Sequence, residues 1–71
     1  MKVDKLLKKY IGLVDVEFYK NNHLIEHTTT RDLYTGYPLN ENNYILLNSK
    51  IKCYRVAIIS GEIVFRINIK S

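Results

Sequence analysis

Two alternating runs separated by a two-residue turn constrain this 71-residue chain more than any other feature. Tyr54, Val56 and Ile58 alternate with Arg55 and Ala57, and Ile63, Phe65, Ile67 and Ile69 alternate with Val64, Arg66 and Asn68. That period of 2 belongs to strands with one buried face. Ser60-Gly61 between the runs has the composition of a tight hairpin turn. With that turn the apolar positions coincide: Ile58 opposes Ile63, Val56 opposes Phe65 and Tyr54 opposes Ile67. The same register sets Arg55 directly against Arg66 on the other face.

An earlier segment repeats the logic. Val14, Val16 and Phe18 alternate with Asp15, Glu17 and Tyr19, and Asn21-Asn22 follows. Asparagine tolerates positive φ, so a type I′ turn is expected there, with His23 to Thr29 as the return strand. A strict two-residue turn then pairs Phe18 with Ile25, Val16 with His27 and, unfavourably, Glu17 with Glu26. Ahead of this hairpin, Val3, Leu6, Leu7, Tyr10 and Ile11 fall on one stripe of a helix, with Lys2, Lys5, Lys8 and Lys9 on the other side. This spacing predicts a helix over residues 2–11, stopped by Gly12. Residues 30–49 show no sustained period. Gly36, Pro38 and Asn40 to Asn43 are loop-forming, Tyr44 to Leu47 suits either a short strand or a helical turn, and the apolar and tyrosine content predicts an ordered segment.

The expected fold class is therefore α+β: a short N-terminal helix packed on an antiparallel sheet of two β-hairpins, in the order αββ-loop-ββ, as one domain over residues 1–71. So small a core typically supplies only about 3–5 kcal/mol of net stability, and small scaffolds add disulfides, metals or self-association. Cys53 is the only cysteine, so self-association is the natural supplement and a homo-oligomer is expected. The lone cysteine also fits a reducing, cytoplasmic setting. No apolar run approaches the roughly 18 residues of a membrane span.

Net charge is +4, unevenly spread. Residues 1–10 carry four lysines against Asp4, a net +3; residues 11–49 carry two cations against five acids, a net −3; residues 50–71 carry five cations against Glu62, a net +4. Basic ends suit an acidic or nucleic-acid partner, but the acidic middle suits internal neutralisation equally.

Few residues carry candidate chemistry. His23-Leu24-Ile25-Glu26-His27 matches H-x-x-E-H, yet that metalloprotease string works on a helix. On a strand the two imidazoles lie roughly 13 Å apart and cannot chelate one ion. Cys53 is a candidate nucleophile if the first hairpin brings His27 to it, but no feature fixes a base, an orienting group or an oxyanion hole. No phosphate-binding glycine loop is present, and no metal, cofactor or catalytic residue is assigned. Arg55 and Arg66 are the leading candidates for a binding site, because opposed like charges ask for an anion or an acidic neighbour such as Asp15, Glu17 and Glu26. Lys70 extends the basic surface. Tyr19, Tyr34 and Tyr37 fall on an outer face or in residues 30–49, where tyrosine commonly serves an interface or stacks on a base.

The helix Val3-Asp4-Lys5-Leu6-Leu7-Lys8-Lys9-Tyr10, the strand Val14-Asp15-Val16-Glu17-Phe18-Tyr19 with its polar turn, and the closing Ser60-Gly61-Glu62-Ile63-Val64-Phe65-Arg66-Ile67 hairpin together resemble the small uncharacterised accessory proteins of phages, plasmids and conjugative elements of Gram-positive bacteria. The resemblance implies a non-enzymatic accessory role in a bacterial host and transfers no functional residues. The function expected on these grounds is a protein-interaction module acting on a host or element protein, with no membrane partner. The alternative is a nucleic-acid binder using the basic outer sheet face and exposed tyrosines.

Overall fold

In the computed structural model, which describes residues 1–10, 12–35 and 40–70, both two-residue turns form as left-handed pairs. Asn21 and Asn22 have φ of 53° and 65°, and Ser60 and Gly61 have 52° and 79°, as a type I′ turn requires. They close the hairpins β1 (Asp15–Lys20) to β2 (His23–Thr29) and β3 (Ile51–Ile59) to β4 (Glu62–Ile69). In the second hairpin Tyr54 pairs with Ile67, Arg55 with Arg66, Val56 with Phe65 and Ile58 with Ile63, as the alternation predicts.

The first hairpin departs from its expected register. Next to the turn Lys20 pairs with His23 and Tyr19 with Leu24, but a bulge then shifts the ladder so that Phe18 meets Glu26, Glu17 meets His27 and Val16 meets Thr28. The expected Phe18–Ile25, Val16–His27 and Glu17–Glu26 pairs do not form. The bulge removes the opposed carboxylates and leaves Ile25 as the extra residue, lining a hollow with Asn42, Ile45 and Leu46.

The four strands form one sheet in the order β2-β1-β4-β3, with the hairpins joined through a parallel β1–β4 pair. The α+β class is as expected, but the sheet is mixed rather than antiparallel throughout. Composition explains which strands lie inside: Val16, Phe18, Phe65 and Ile67 are all at most 1% exposed and occupy adjacent central positions. A parallel neighbour requires a crossover, and the segment between β2 and β3 contributes two helices to it; Gly36 and Pro38, expected as loop, lie outside the described residues. The helices are α2 (Thr30–Tyr34) and α3 (Glu41–Asn48), so the Tyr44–Leu47 stretch is helical. Each begins with a side-chain cap, Thr29 Oγ1 accepting from the Asp32 amide at 3.2 Å and Asn40 Oδ1 from the Asn43 amide at 3.1 Å. The Asn43 side chain donates to the Asp32 carbonyl at 2.9 Å and ties the two helices together.

The N-terminal helix, α1, spans Val3–Leu7, shorter than the expected 2–11. Beyond Leu7 the chain tightens: the Lys9 amide bonds to the Leu6 carbonyl and the Tyr10 amide to the Leu7 carbonyl, at 3.2 and 3.1 Å. Ile11 lies outside the described residues. One turn and a half of helix does not persist alone. It is anchored from below by strand-like pairing of Lys2 with Lys50, with the Ile51 amide donating to the Met1 carbonyl at 2.8 Å and the Val3 amide to the Ser49 carbonyl at 3.0 Å. It is anchored from the side by Asp4, whose Oδ1 accepts from the Tyr34 hydroxyl at 2.6 Å and whose Oδ2 lies 3.1 Å from Lys8 Nζ. Burial alone pushes the Asp4 pKa up, but the Tyr34 and Lys8 bonds outweigh it and hold the carboxyl below its ordinary 3.8. Val3, Leu6 and Leu7 meet Leu33, Leu47 and the inner sheet residues in one core.

Candidate functional site

Strand alternation places Glu17 and Tyr19 of β1, Arg66 and Asn68 of β4, and Cys53 and Arg55 of β3 on the face opposite the core. One row crosses all four strands as His27, Glu17, Arg66 and Arg55. At its centre Glu17 Oε1 accepts from Arg66 Nε at 3.0 Å and from the Tyr19 hydroxyl at 2.8 Å. The bond to Glu17 stabilises the protonated phenol, so the Tyr19 pKa is pushed above 10.0, with desolvation adding to the rise and Arg66 and Arg55 opposing it. Among the described residues Arg55 forms no ion pair.

Tyr19, Asn22, Arg55, Arg66 and Asn68 line a shallow concavity. A second hollow, with Lys52 and Lys70, shares Asn22 and Asn68 with it. The fold thus gathers Tyr19, Arg55 and Arg66 and sets Lys70 beside them. Tyr34 lies in the helical layer, bonded to Asp4, away from this face. Tyr37 lies outside the described residues. Of the three acids expected to neutralise the arginines, Glu17 contacts Arg66, Asp15 shares its face of β1 but lies opposite Val64, and Glu26 pairs opposite the core residue Phe18. Asn22 and Asn68 are not legible as site residues in the sequence, since a turn residue and a strand asparagine signal no site until the strand order is known.

The same topology separates other candidates. His27 sits on β2 and Cys53 on β3, the two outer strands; three strand spacings alone put their backbones at least roughly 14 Å apart, too far for an acid–base pair. His23 and His27 fall on a strand, on opposite sides of the bulge. Among the described residues no group of three His, Cys, Asp or Glu side chains is placed to hold a metal ion, and no helix is long and apolar enough to cross a membrane.

The core side of the sheet holds a second feature. Tyr54, Val56, Ile58 and Ile63 point to the same side as Phe65 and Ile67, where the alternation predicts burial. They are instead 41, 49, 75 and 47% exposed, because the core packs on β1, on Phe65 to Ile69 of β4 and on the Ile51 end of β3, and leaves the rest of that hairpin's inner face uncovered. Tyr10 marks the end of the cover, its ring set edge-on against Phe65 with centroids 4.6 Å apart. β3 is also an outer strand, so beyond Ile51, whose amide bonds to the Met1 carbonyl, an apolar stripe runs beside a row of backbone groups that no strand among the described residues pairs. Comparison of the chain with family models, with curated proteins and with solved structures finds no match in any of the three.

Proposed function

We propose that this chain is a non-enzymatic protein-interaction module, an accessory factor of the phage or mobile-element kind that acts in the cytoplasm on a host or element protein. The uncovered stripe of Tyr54, Val56, Ile58 and Ile63 beside the free edge of β3 carries the reading. Contiguous exposed apolar surface marks association sites, and strand edges capture extended segments through backbone bonds, with alternate side chains giving selectivity. The other outer strand is less suited to this, since β2 is broken by the bulge at Ile25 and carries His23, Glu26 and His27.

A Gram-positive bacterial lysate passed over the immobilised chain, with and without nuclease, tests the proposal. A defined protein is expected in both arms. Ile58→Lys, at a position 75% exposed, is expected to abolish retention without changing the melting temperature. Retention lost on nuclease treatment would favour the second reading, nucleic-acid binding. That reading draws on the concavity of Tyr19, Arg55 and Arg66 next to Lys52 and Lys70. It is weaker because Glu17 lies in the middle of that surface and already engages Arg66 and Tyr19.

A further inference from the structure

We infer that, without that protein bound, the β3 edge pairs with a second copy of this chain, antiparallel across a two-fold axis at Val56, to make one eight-stranded sheet. The inference rests on reading β3 as an interaction edge. It follows from which backbone groups that edge presents. In the Ser60-Gly61 turn the Ile59 carbonyl and the Glu62 amide form the turn bond, so Ile59–Glu62 is a bonded pair. Bonded and unbonded pairs alternate along an antiparallel ladder. Ala57 and Arg55 therefore also direct their polar backbone toward β4, while Ile58, Val56 and Tyr54 direct theirs outward.

Those three outward residues are self-complementary. With the axis at Val56, Tyr54 of each copy pairs with Ile58 of the other and Val56 pairs with its own counterpart. Each of these pairs exchanges two backbone bonds, and each is apolar and now exposed. Arg55 faces Ala57 of the other copy, so no like charges are opposed. Moving the axis to Arg55 would set the two arginines against each other, and moving it to Ala57 would place Tyr54 against the turn residue Ser60. The near end of the edge is already taken, because the Ile51 amide bonds to the Met1 carbonyl at 2.8 Å. The pairing therefore stops where the N-terminal segment begins. Tyr54 to Ile59 has no proline and a single charge, Arg55, and the register shift of β3 lies before it, between Ile51 and Cys53, so this stretch has little protection against edge pairing. An interface built on one strand pair falls in the class below roughly 1,200 Å², so a micromolar rather than nanomolar dimer is expected.

Sedimentation equilibrium across about a hundredfold concentration range reads the association. The expected result is a reversible monomer–dimer equilibrium, weakened at least about tenfold by Val56→Lys and by Ile58→Lys, with circular dichroism unchanged. Single-cysteine variants made on Cys53→Ser report the register. Bonded partners have Cα atoms about 5.5 Å apart, within disulfide reach. Val56→Cys should therefore cross-link under mild oxidation, and Arg55→Cys and Ala57→Cys should not. A monomer at every concentration, a dimer indifferent to both lysine variants, or preferential cross-linking through Arg55→Cys or Ala57→Cys each overturns the inference. If the chain stays monomeric yet retains another protein in a manner lost with Ile58→Lys, the second copy is ruled out while the interaction reading stands; if retention is also absent, both fail.

Discussion

Glu17 and Arg66 are lateral partners on β1 and β4 and bond at 3.0 Å, so one ion pair joins two hairpins that no turn connects. Their side chains are only 17 and 32% exposed, but the pair still lies on an open face and is worth up to roughly 1 kcal/mol. Arg66→Ala should lower unfolding free energy by that modest amount in a urea titration. Glu17→Gln should in addition lower the Tyr19 pKa, because the acceptor that holds the phenol protonated loses its charge. Ring proton shifts followed through high pH would show it; an unchanged Tyr19 titration would remove Glu17 as the cause.

The Asp4 bonds predict the acid limb of stability. Its pKa is lower folded than unfolded, so the stabilisation is complete above the unfolded value near 3.8 and is lost as pH falls through the folded value. Tyr34→Phe removes the 2.6 Å bond and should cost about 1 kcal/mol at neutral pH. It should also flatten the loss of stability below pH of about 4. Parallel acid curves for the two proteins would contradict this.

Gly61 takes φ of 79° with nothing within 4 Å of where a Cβ would sit. Replacement there is strained rather than obstructed. Gly61→Val should therefore destabilise by about 1–2 kcal/mol, and Gly61→Asn by much less, in thermal melts of otherwise identical proteins. Equal losses would point to an obstruction that the structure does not contain.

Nucleic acid provides a further check. With Glu17 engaging Arg66, mixed-sequence DNA or RNA should show no sub-micromolar binding at physiological salt. If tight binding were found and Arg55→Ala lowered the log–log salt slope by about 0.9, the basic face would be a phosphate site and the second reading would prevail.

How much of this was legible beforehand differs by element. The β3–β4 register was, because Ser60-Gly61 and the alternation on both sides specify one pairing. The first turn was equally clear, but the ladder beyond it was not: a bulge at Ile25 leaves no mark except two adjacent apolar residues, Leu24 and Ile25. The helices α2 and α3 escaped because five and eight residues are too few for a period to declare itself. Their caps, Thr29 with Asp32 and Asn40 with Asn43, were the signals available. Arg55 beside Arg66 is local and could be read, whereas Glu17 beside Arg66 depends on strand order, which no local pattern encodes. The uncovered stripe was hidden for the same reason, since alternation is identical in an inner and an outer strand.

The pairing of Met1 to Val3 along Ser49 to Ile51 has a practical corollary for anyone preparing the protein. Because that pairing is antiparallel, a peptide fused ahead of Met1 is launched along β3 toward Ile59. A purification tag at the N-terminus would then occupy the strand edge intramolecularly, at high effective concentration, and mask its association.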